Sequence, residues 1–306
     1  MERLKYFAYS TSVMMLLDTA NLAFAAENGS PTTAPGIYDF GAGFLPPYSP
    51  YGMIGIRASY YSADKNKNLK GNKINDPFKL SVLAVGVSWI KMTNNKILGA
   101  NYGFGIVQPF FDMDMHLTVP APTGSLSLSH QVFRQADLQV LPVILGWNFS
   151  PNFSANFQFQ IQAPTGYYKK SDLVSPGLNH WVYSPIINAT YITKNGYEFS
   201  SSLETDINTK NKDTNYKNGI EYRYEFAAGK HINNWTVGLG GYYYNQFTKD
   251  KNNTGDIGKS QVFAYGPAIS YFGGKAPSVW FHFYKEDGAK MRSEGYNVAI
   301  RVAQSF

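Results

Sequence analysis

The side chains best suited to acid–base or nucleophilic chemistry are scattered along this chain. Its five histidines are His116, His130, His180, His231 and His282. Ser129 precedes His130 and Asn179 precedes His180, but adjacent residues of a β-strand point to opposite faces, so neither pair is a ready nucleophile and base. The sequence therefore predicts no catalytic residue and favours a protein that is not an enzyme.

Metal, nucleotide and nucleic-acid sites also lack the residue patterns that they need. The chain has no cysteine, which excludes thiolate ligands and disulfides. Asp112 and Asp114 could contact Ca²⁺, but two carboxylates are too few for a calcium site. P-loop and dinucleotide-binding glycine motifs do not occur. We expect no metal, no cofactor and no nucleic-acid partner.

Polar residues alternate with apolar or aromatic residues in several segments of the chain. In residues 153–162 apolar side chains alternate with Ser, Asn or Gln, and in residues 221–226 aromatic ones alternate with Glu or Arg. A strand sends successive side chains to opposite faces. Aromatic residues make up 16% of the sequence and charged residues only 16%. Tyr and Phe favour strands and water–lipid boundaries, so this balance indicates β-structure at an interface.

The alternation predicts an all-β fold, a transmembrane up-and-down antiparallel β-barrel of about twelve strands with both termini periplasmic. We place the strands near residues 51–63, 78–91, 96–110, 137–148, 153–166, 181–193, 196–207, 214–229, 234–247, 259–273, 277–286 and 294–306. Short and long links alternate between them, as tight periplasmic turns and longer outer loops require. A soluble sandwich or propeller shares the period but explains neither the links nor the aromatic strand ends.

The N-terminus has the order of a secretory signal peptide. Arg3 and Lys5 precede an apolar stretch, and Ala23-Phe24-Ala25 is a small-x-small cleavage site. We expect residues 1–25 to be removed, residues 26–50 to form a Pro/Gly-rich N-terminal segment, and residues 51–306 to form the barrel. This organisation predicts export to the outer membrane of a Gram-negative bacterium.

A twelve-stranded barrel is wider than an eight-stranded one, whose side chains fill it, and narrower than open porins, so we expect a narrow or gated lumen. A Lys or Arg facing lipid costs about 2–4 kcal/mol at the midplane, so charges should point inward. The predicted lumen-lining residues are Arg57, Gln158, Gln160, Asn188, Glu204, Asp206, Glu221, Arg223, Glu225, Tyr242, Tyr244 and Arg301. They either brace the wall through mutual salt bridges or line a path, with Arg223 and Arg301 as an electropositive strip and the tyrosines as an aromatic shelf.

The two ends of the mature chain carry further predictions. Residues 26–50 either fold into the lumen as a plug, anchored by Phe44, Leu45 and Tyr48, or form a periplasmic tail. At the other end the alternation continues to the last residue, where an ordinary terminus frays. The final strand must pair with the first, near Tyr51–Ala63, because an open edge in lipid leaves backbone groups unsatisfied.

Several segments, in order, resemble one family. They include "DLQVLPVILGWNFSPNF" at 137–153, "QAPTGYYKKSDLVSPGLNHW" at 162–181 and "VGLGGYYYNQFTKDK" at 237–251. The chain resembles the phenol meta-pathway degradation (MetA-pathway) proteins, an outer-membrane transporter group that includes SphA-like proteins, over essentially the whole mature chain. The resemblance implies a barrel linked to uptake of aromatic or other hydrophobic compounds. Outer-membrane barrels of this kind also imply that the aromatic C-terminal strand is read by the insertion machinery, through Tyr296, Val298, Ile300, Val302 and Phe306.

The sequence thus favours a channel for passive uptake of small hydrophobic or aromatic compounds. One alternative is a structural or adhesive barrel with a closed lumen, and a less favoured one is a lipid-modifying enzyme. The expected partners are outer-membrane lipid and lipopolysaccharide, the insertion machinery and the solute. The net charge of +6 lies mostly in predicted loops, where contact with anionic lipopolysaccharide accounts for it. The oligomeric state and the identity of the solute are left open.

Overall fold

The computed structural model of the chain describes Glu27 and residues 31–121, 124–274 and 276–306. The predicted signal peptide, residues 1–25, lies outside the described residues. No helix in the described part of the chain is long and apolar enough to cross a membrane.

The regular elements of the described residues are β-strands. They are β1 (Met53–Lys67), β2 (Phe78–Ile97), β3 (Ala100–Ala121), β4 (Gly124–Gln135), β5 (Leu138–Ser150), β6 (Phe153–Ala163), β7 (Val182–Ile192), β8 (Tyr197–Asn208), β9 (Glu221–Ile232), β10 (Trp235–Gln246), β11 (Lys251–Asn252), β12 (Gly255–Asp256), β13 (Gln261–Tyr271), β14 (Ser278–Lys290) and β15 (Arg292–Ser305). Twelve of them form one closed antiparallel ring, in the order β1, β2, β3, β5, β6, β7, β8, β9, β10, β13, β14 and β15. The predicted fold class is confirmed.

The ring closes between the first and last strands, as the C-terminal alternation predicted. β1 pairs with β15 from Met53 opposite Ser305 onward. Two further bonds extend the pairing to the last residue, since the Phe306 amide donates to the Gly52 carbonyl at 3.0 Å and the Tyr51 amide to the Phe306 carbonyl at 3.1 Å. No unpaired strand edge remains in the ring formed by these strands.

The two ends of the barrel differ in their connections. At the short-turn end, residues 98–99, 151–152, 193–196, 233–234 and 272–277 join successive strands, and Tyr51 and Phe306 lie at this same end. At the long-loop end lie the links 68–77, 164–181, 209–220 and 247–260, the last containing the β11–β12 hairpin. The predicted alternation of short and long links is confirmed for these connections.

Two links that the sequence predicted as long loops are instead strand hairpins. Residues 111–121 continue β3 and Gly124–Gln135 form β4, while Met291 alone separates β14 from β15. In the first hairpin, Met113 and Met115 are buried while the intervening Asp114 is partly exposed. The period of two therefore continues, but polar residues replace the apolar outer face where strands leave the lipid. That substitution removed the sequence signal for a strand.

The two faces of the barrel wall have opposite chemistry. On β8 the outward Phe199, Leu203 and Ile207 are exposed to the surroundings, while the inward Glu204 and Asp206 are buried. At the short-turn end aromatic rings pack on the outer surface, for example Trp89 against Phe104 with centroids 5.7 Å apart and Trp235 against Tyr271 at 4.8 Å. An apolar belt with an aromatic girdle is the outer surface of a transmembrane barrel.

The C-terminal strand shows the same division. The outward face consists of the residues predicted as the insertion signal, Tyr296, Val298, Ile300, Val302 and Phe306, and among them Val298 is the most covered. Asn297, Ala299 and Ala303 between them are buried toward the lumen. The Tyr296 ring packs between neighbouring strands, 6.3 Å from Tyr60 and 5.8 Å from Phe283.

Candidate functional site

The lumen of the barrel is occupied by residues 31–45, here called the lumen segment. At the long-loop end, Glu27 accepts hydrogen bonds from Asn211 at 2.8 Å and from the Tyr168 hydroxyl at 3.3 Å. At the short-turn end the chain reaches Tyr51, which pairs with the C-terminal residue. The chain therefore runs the whole length of the barrel interior before β1 begins. Glu27 lies at the long-loop end, opposite Phe306. The periplasmic placement of both termini stays a prediction.

One side of the lumen is lined by carboxylates on β8 and β9. This acidic wall consists of Glu198, Glu204, Asp206, Glu221 and Glu225, all buried. The wall binds backbone amides of the lumen segment: the Thr32 amide donates to Glu221 at 3.0 Å, and the Gly36 and Tyr38 amides donate to Glu225 at 2.8 and 2.5 Å. Glu198 accepts from the Gly41 amide at 2.6 Å. Bonds to ionised acceptors are stronger than neutral ones.

Cationic side chains line another part of the lumen. Arg57 on β1 and Arg301 on β15 are direct partners in the register of the closing strand pair; they are called the arginine pair. Arg57 donates to the Gly36 carbonyl and Arg301 to the Ile37 carbonyl, each at 2.9 Å. The Arg301 guanidinium also stacks over the Trp280 ring, 4.0 Å from its centroid. The lumen segment is thus held through its amides by the acidic wall and through its carbonyls by the arginine pair.

Arg223 is placed inside the acidic wall and not beside Arg301. It contacts Glu204 at 2.5 Å, Glu225 at 3.2 Å and Asp206 at 3.9 Å. It also donates to the Thr33 carbonyl at 2.7 Å. Arg223 is paired with carboxylates, whereas Arg301 donates to the Ile37 carbonyl and stacks on Trp280, so the two do not form an unpaired electropositive strip. The contacts of Arg223 are the mutual salt bridges that the sequence left as the alternative.

Thr33 joins the lumen segment to this network. Its hydroxyl lies 2.9 Å from a Glu204 oxygen and 2.8 Å from an Asp206 oxygen. Asp206 also accepts a hydrogen bond of 2.6 Å from Ser184 on β7. Because a hydroxyl has one proton, Thr33 donates to one carboxylate at a time, while the single positive charge of Arg223 offsets part of their negative charge.

The predicted amide side chains line the strands next to the acidic wall. Asn188 donates to the Asn156 side-chain oxygen at 2.7 Å, and Gln158 donates to the same atom at 3.0 Å. Asn156 in turn donates to the Ala42 carbonyl of the lumen segment at 2.9 Å. Gln160 is buried on the same face. Asn156 was not among the predicted residues, although it occupies the same alternating face of its strand as Gln158.

Tyr242 and Tyr244 lie on the inner face, but they do not form an open shelf. Both are less than 2% exposed. The Tyr242 hydroxyl donates to Glu286 at 2.9 Å, and the Arg292 guanidinium lies 5.1 Å above the Tyr244 ring. They belong to a packed cluster around Phe40 of the lumen segment. The aromatic shelf is therefore absent in this conformation, because the lumen segment fills the space beside the tyrosines.

The predicted plug anchors differ from the residues that hold the segment most deeply. Phe44 is 39% exposed and Tyr48 is 53% exposed. Leu45 lies against Gly146, where a Cβ atom would collide with the leucine side chain. Phe40 is completely buried instead, and its carbonyl accepts from the Trp280 indole at 2.8 Å.

Asp39 forms a second buried anchor that the sequence did not reveal. One carboxylate oxygen lies 3.0 Å from His282 Nδ1, and the other accepts from the Tyr284 hydroxyl at 2.5 Å. His282 Nε2 contacts Asn297 at 2.9 Å. Asp39 and Phe40 lie in a Pro/Gly-rich stretch without a regular period, so only their position between glycines distinguished them in the sequence.

The long-loop end of the lumen is covered by the link 164–181. Tyr168 of this link donates to Glu27, and burial together with the Glu27 carboxylate raises the pKa of Tyr168 to about 12. Val174 of the same link is fully buried against the β3–β4 hairpin. The covering is therefore packed, with a residual space of about 20 Å³ lined by Glu27, Met113, Tyr168 and Val174.

The five histidines lie on five different strands or links of the described residues. Nowhere in that part of the chain do three or more His, Asp or Glu side chains form a cluster suited to a metal ion. His130 lies 3.5 Å from Asp172, and Ser129 lies opposite His116 in the strand register, on the other face of β4. Ser129 and His130 therefore point apart, as the strand period predicted.

Comparison with protein families places residues 63–302 in one family, described as "Putative MetA-pathway of phenol degradation". The chain belongs to this family. The resemblance found in the sequence is thereby confirmed. Comparison with curated protein sequences finds no significant match.

A solved structure shares the fold of this MetA-pathway family member. An outer membrane channel from Pseudomonas putida F1 matches with a TM-score of 0.70 and 12% identity, over 90% of this chain and 100% of that one. The CymD monoaromatic hydrocarbon channel matches with a TM-score of 0.42 and 10% identity, over 83% and 88% of the two chains; at that score the likeness supports nothing further. The first match supports the fold alone. Its closed twelve-stranded ring, apolar belt and aromatic girdle make the protein a β-barrel of the outer-membrane type.

Proposed function

We propose that this protein is an outer-membrane channel for small hydrophobic or aromatic compounds, and that the lumen segment closes it in the conformation described. The observation that carries the proposal is the filling of the lumen. A ring of twelve strands is too wide for wall side chains alone to fill. Here the lumen segment, which is not part of the wall, occupies the space inside the ring. A segment that is not part of the ring can move while the ring stays intact.

An apolar surface at the long-loop end supports a hydrophobic solute. Under the β3–β4 hairpin, buried apolar side chains form a continuous cluster that includes Leu80, Met113, Met115, Leu117 and Val119. Beside it a shallow hollow, open to the surroundings, is lined by Phe110, Phe133, Arg134 and Tyr167, among others. Exposed aromatic rings such as Phe133 offer apolar contact to a solute. Aromatic compounds would concentrate at this end before they enter the lumen.

The test is uptake of a labelled aromatic compound into liposomes that carry the purified protein. We expect flux above that of empty liposomes, and a several-fold increase when Asp39→Ala loosens the lumen segment. Phe44→Ala is the matched control, since Phe44 is exposed and holds no charged contact. Absence of flux in the native protein and in Asp39→Ala alike would contradict the channel.

A structural or adhesive barrel with a permanently closed lumen is the second candidate. The density of buried contacts between the lumen segment and the wall favours it. The same experiment separates the two, because a permanently closed barrel gives no flux from any folded variant. A lipid-modifying enzyme is a third candidate, and hydrolysis of a lipid substrate that is lost in His282→Ala would support it.

We propose lipid and lipopolysaccharide as partners at the outer surface and the barrel-insertion machinery as the partner of the C-terminal strand. Support for the first comes from the apolar belt and from lysines in the long links, such as Lys70, Lys73 and Lys170. Binding of purified lipopolysaccharide that weakens as salt rises is the expected result, because exposed charges are screened by salt.

A further inference from the structure

The wall holds the backbone of the lumen segment as well as side chains such as Thr33 and Asp39. Five of its amides donate to wall side chains, those of Thr32, Gly36, Tyr38, Gly41 and Gly43. Five of its carbonyls accept from wall side chains, those of Thr33, Gly36, Ile37, Phe40 and Ala42. The backbone groups of any peptide chain are the same, so these contacts do not depend on which side chains the segment carries.

The wall offers acceptors for the backbone amides of the lumen segment and donors for its backbone carbonyls. Carboxylates of β8 and β9 receive the amides of residues 32, 36, 38 and 41, while the arginine pair on β1 and β15 donates to neighbouring carbonyls of residues 36 and 37. A peptide presents both kinds of group along its length. The carboxylates of the acidic wall are buried and the arginine pair is half-buried. An unmet buried partner is costly, so the wall requires an occupant of this chemistry.

Glycines set the shape of that occupant. Gly36 and Gly41 have φ angles of +78° and +73°, which other residues rarely adopt. At Gly43 a Cβ atom would collide with the backbone of Ser154 and Thr190. The wall therefore accepts a chain that turns or approaches closely at these three positions.

We propose that the lumen wall is a binding site for a glycine-containing peptide that turns as the lumen segment does, and that a peptide supplied from outside can replace this segment. The ligand class is a short polypeptide bound through its main chain. The proposal goes beyond solute transport, because binding at the acidic wall and the arginine pair needs no flux through the barrel.

The experiment converts the lumen segment into an exchangeable ligand after folding. A protease site inserted after Pro47, which is exposed, allows cleavage of the folded full chain in detergent. A fluorescein-labelled peptide with the sequence of residues 31–45 is then added, and its anisotropy reports binding. We expect saturable binding to the cleaved protein and none to the uncleaved protein, whose tethered segment outcompetes the peptide.

Two matched comparisons test the backbone mode. A peptide N-methylated at Gly36, Tyr38 and Gly41 lacks three of the amide donors, and we expect it to bind more than ~10-fold more weakly, since bonds to charged acceptors are the strong ones. Glu225→Gln in the wall should weaken the unmodified peptide, because one amide oxygen cannot replace two carboxylate oxygens.

Failure of the labelled peptide to enter a cleaved barrel that is still folded, judged by its shifted migration when unboiled, would overturn the proposal. Equal binding of the N-methylated peptide would also overturn it. Neither outcome depends on conductance or solute uptake, so this experiment and the liposome flux experiment test the two proposals independently.

Discussion

Arg223 lies in the lumen with three carboxylates and a carbonyl of the lumen segment within reach, and only 1% of its side chain is exposed. Buried charges are tolerated when they are paired and hydrogen-bonded. Removing the guanidinium would leave Glu204, Asp206 and Glu225 to repel one another without a counter-charge. This geometry gives Arg223 a structural role, as the counter-charge of these carboxylates.

We predict that Arg223→Met destabilises the folded barrel by about 3–5 kcal/mol, the usual cost of removing one partner from a buried ion pair. The measurement is the urea dependence of unfolding in detergent, followed by tryptophan fluorescence. Arg134→Met is the control, because Arg134 is exposed at the long-loop end and should change the free energy of unfolding by about 0–1 kcal/mol. Equal effects of the two changes would contradict this role.

Asp39 holds the lumen segment through His282 and Tyr284. We predict that Asp39→Ala releases the segment from this part of the wall, since its side chain supplies both contacts and its loss leaves two buried polar groups unmatched. Limited proteolysis within residues 31–49 should become faster by at least several-fold, while the strands stay protected. Phe44→Ala should leave the cleavage rate near that of the native protein.

Among the elements, β15 has two roles that the structure separates. Its backbone closes the ring with β1, whereas alternate side chains, among them Tyr296 and Phe306, face outward. The alternation in the sequence predicted the strand, because a period of two can be read from neighbouring residues. It also predicted the pairing partner, because a barrel in lipid can leave no strand edge unpaired. The same pattern did not predict the hairpin of β3 and β4, because its outer face lies outside the lipid and carries polar side chains.

We predict that Phe306→Ala lowers the amount of folded protein in the outer membrane while leaving the stability of the purified barrel nearly unchanged. The backbone hydrogen bonds of Phe306 with Gly52 and Tyr51 do not need the phenyl group of Phe306. Recognition by the insertion machinery, in contrast, would need this phenyl group. Folded protein is measured in membranes by its shifted migration without boiling, and stability by urea unfolding after purification. A comparable loss of stability would assign the ring a structural role instead.

At the scale of the whole molecule, closure of the ring and filling of its lumen are separate properties. Ser59 on β1 faces Ala299 on β15 across the closing pair, and both are buried and small. If solutes pass through the lumen, the seam between these strands need not open.

We therefore predict that a disulfide in Ser59→Cys/Ala299→Cys leaves solute flux unchanged and raises the resistance of the barrel to unfolding by a few kcal/mol, as cross-links across long loops do. Flux is compared before and after reduction in the same liposomes. The Ser59→Cys single variant controls for the substitution itself. A loss of flux that reductant restores would point to passage through the seam.

The sequence by itself determined the wall of this protein. Alternation of apolar and polar side chains fixes which residues face lipid and which face inward, because the strand period is two and charges are excluded from lipid. That rule located the twelve lumen-lining residues, and all of them lie on the inner face. Family membership followed from the order of several such segments.

Only the tertiary structure decided what fills the lumen and how. Thr32 and Glu221, which are bonded through a backbone amide, lie 189 positions apart in the chain. Most contacts of the lumen segment use main-chain groups, which every residue has and which therefore leave no mark in the sequence. Its deepest residues, Asp39 and Phe40, became recognisable only when the closed ring brought His282, Tyr284 and Trp280 around them.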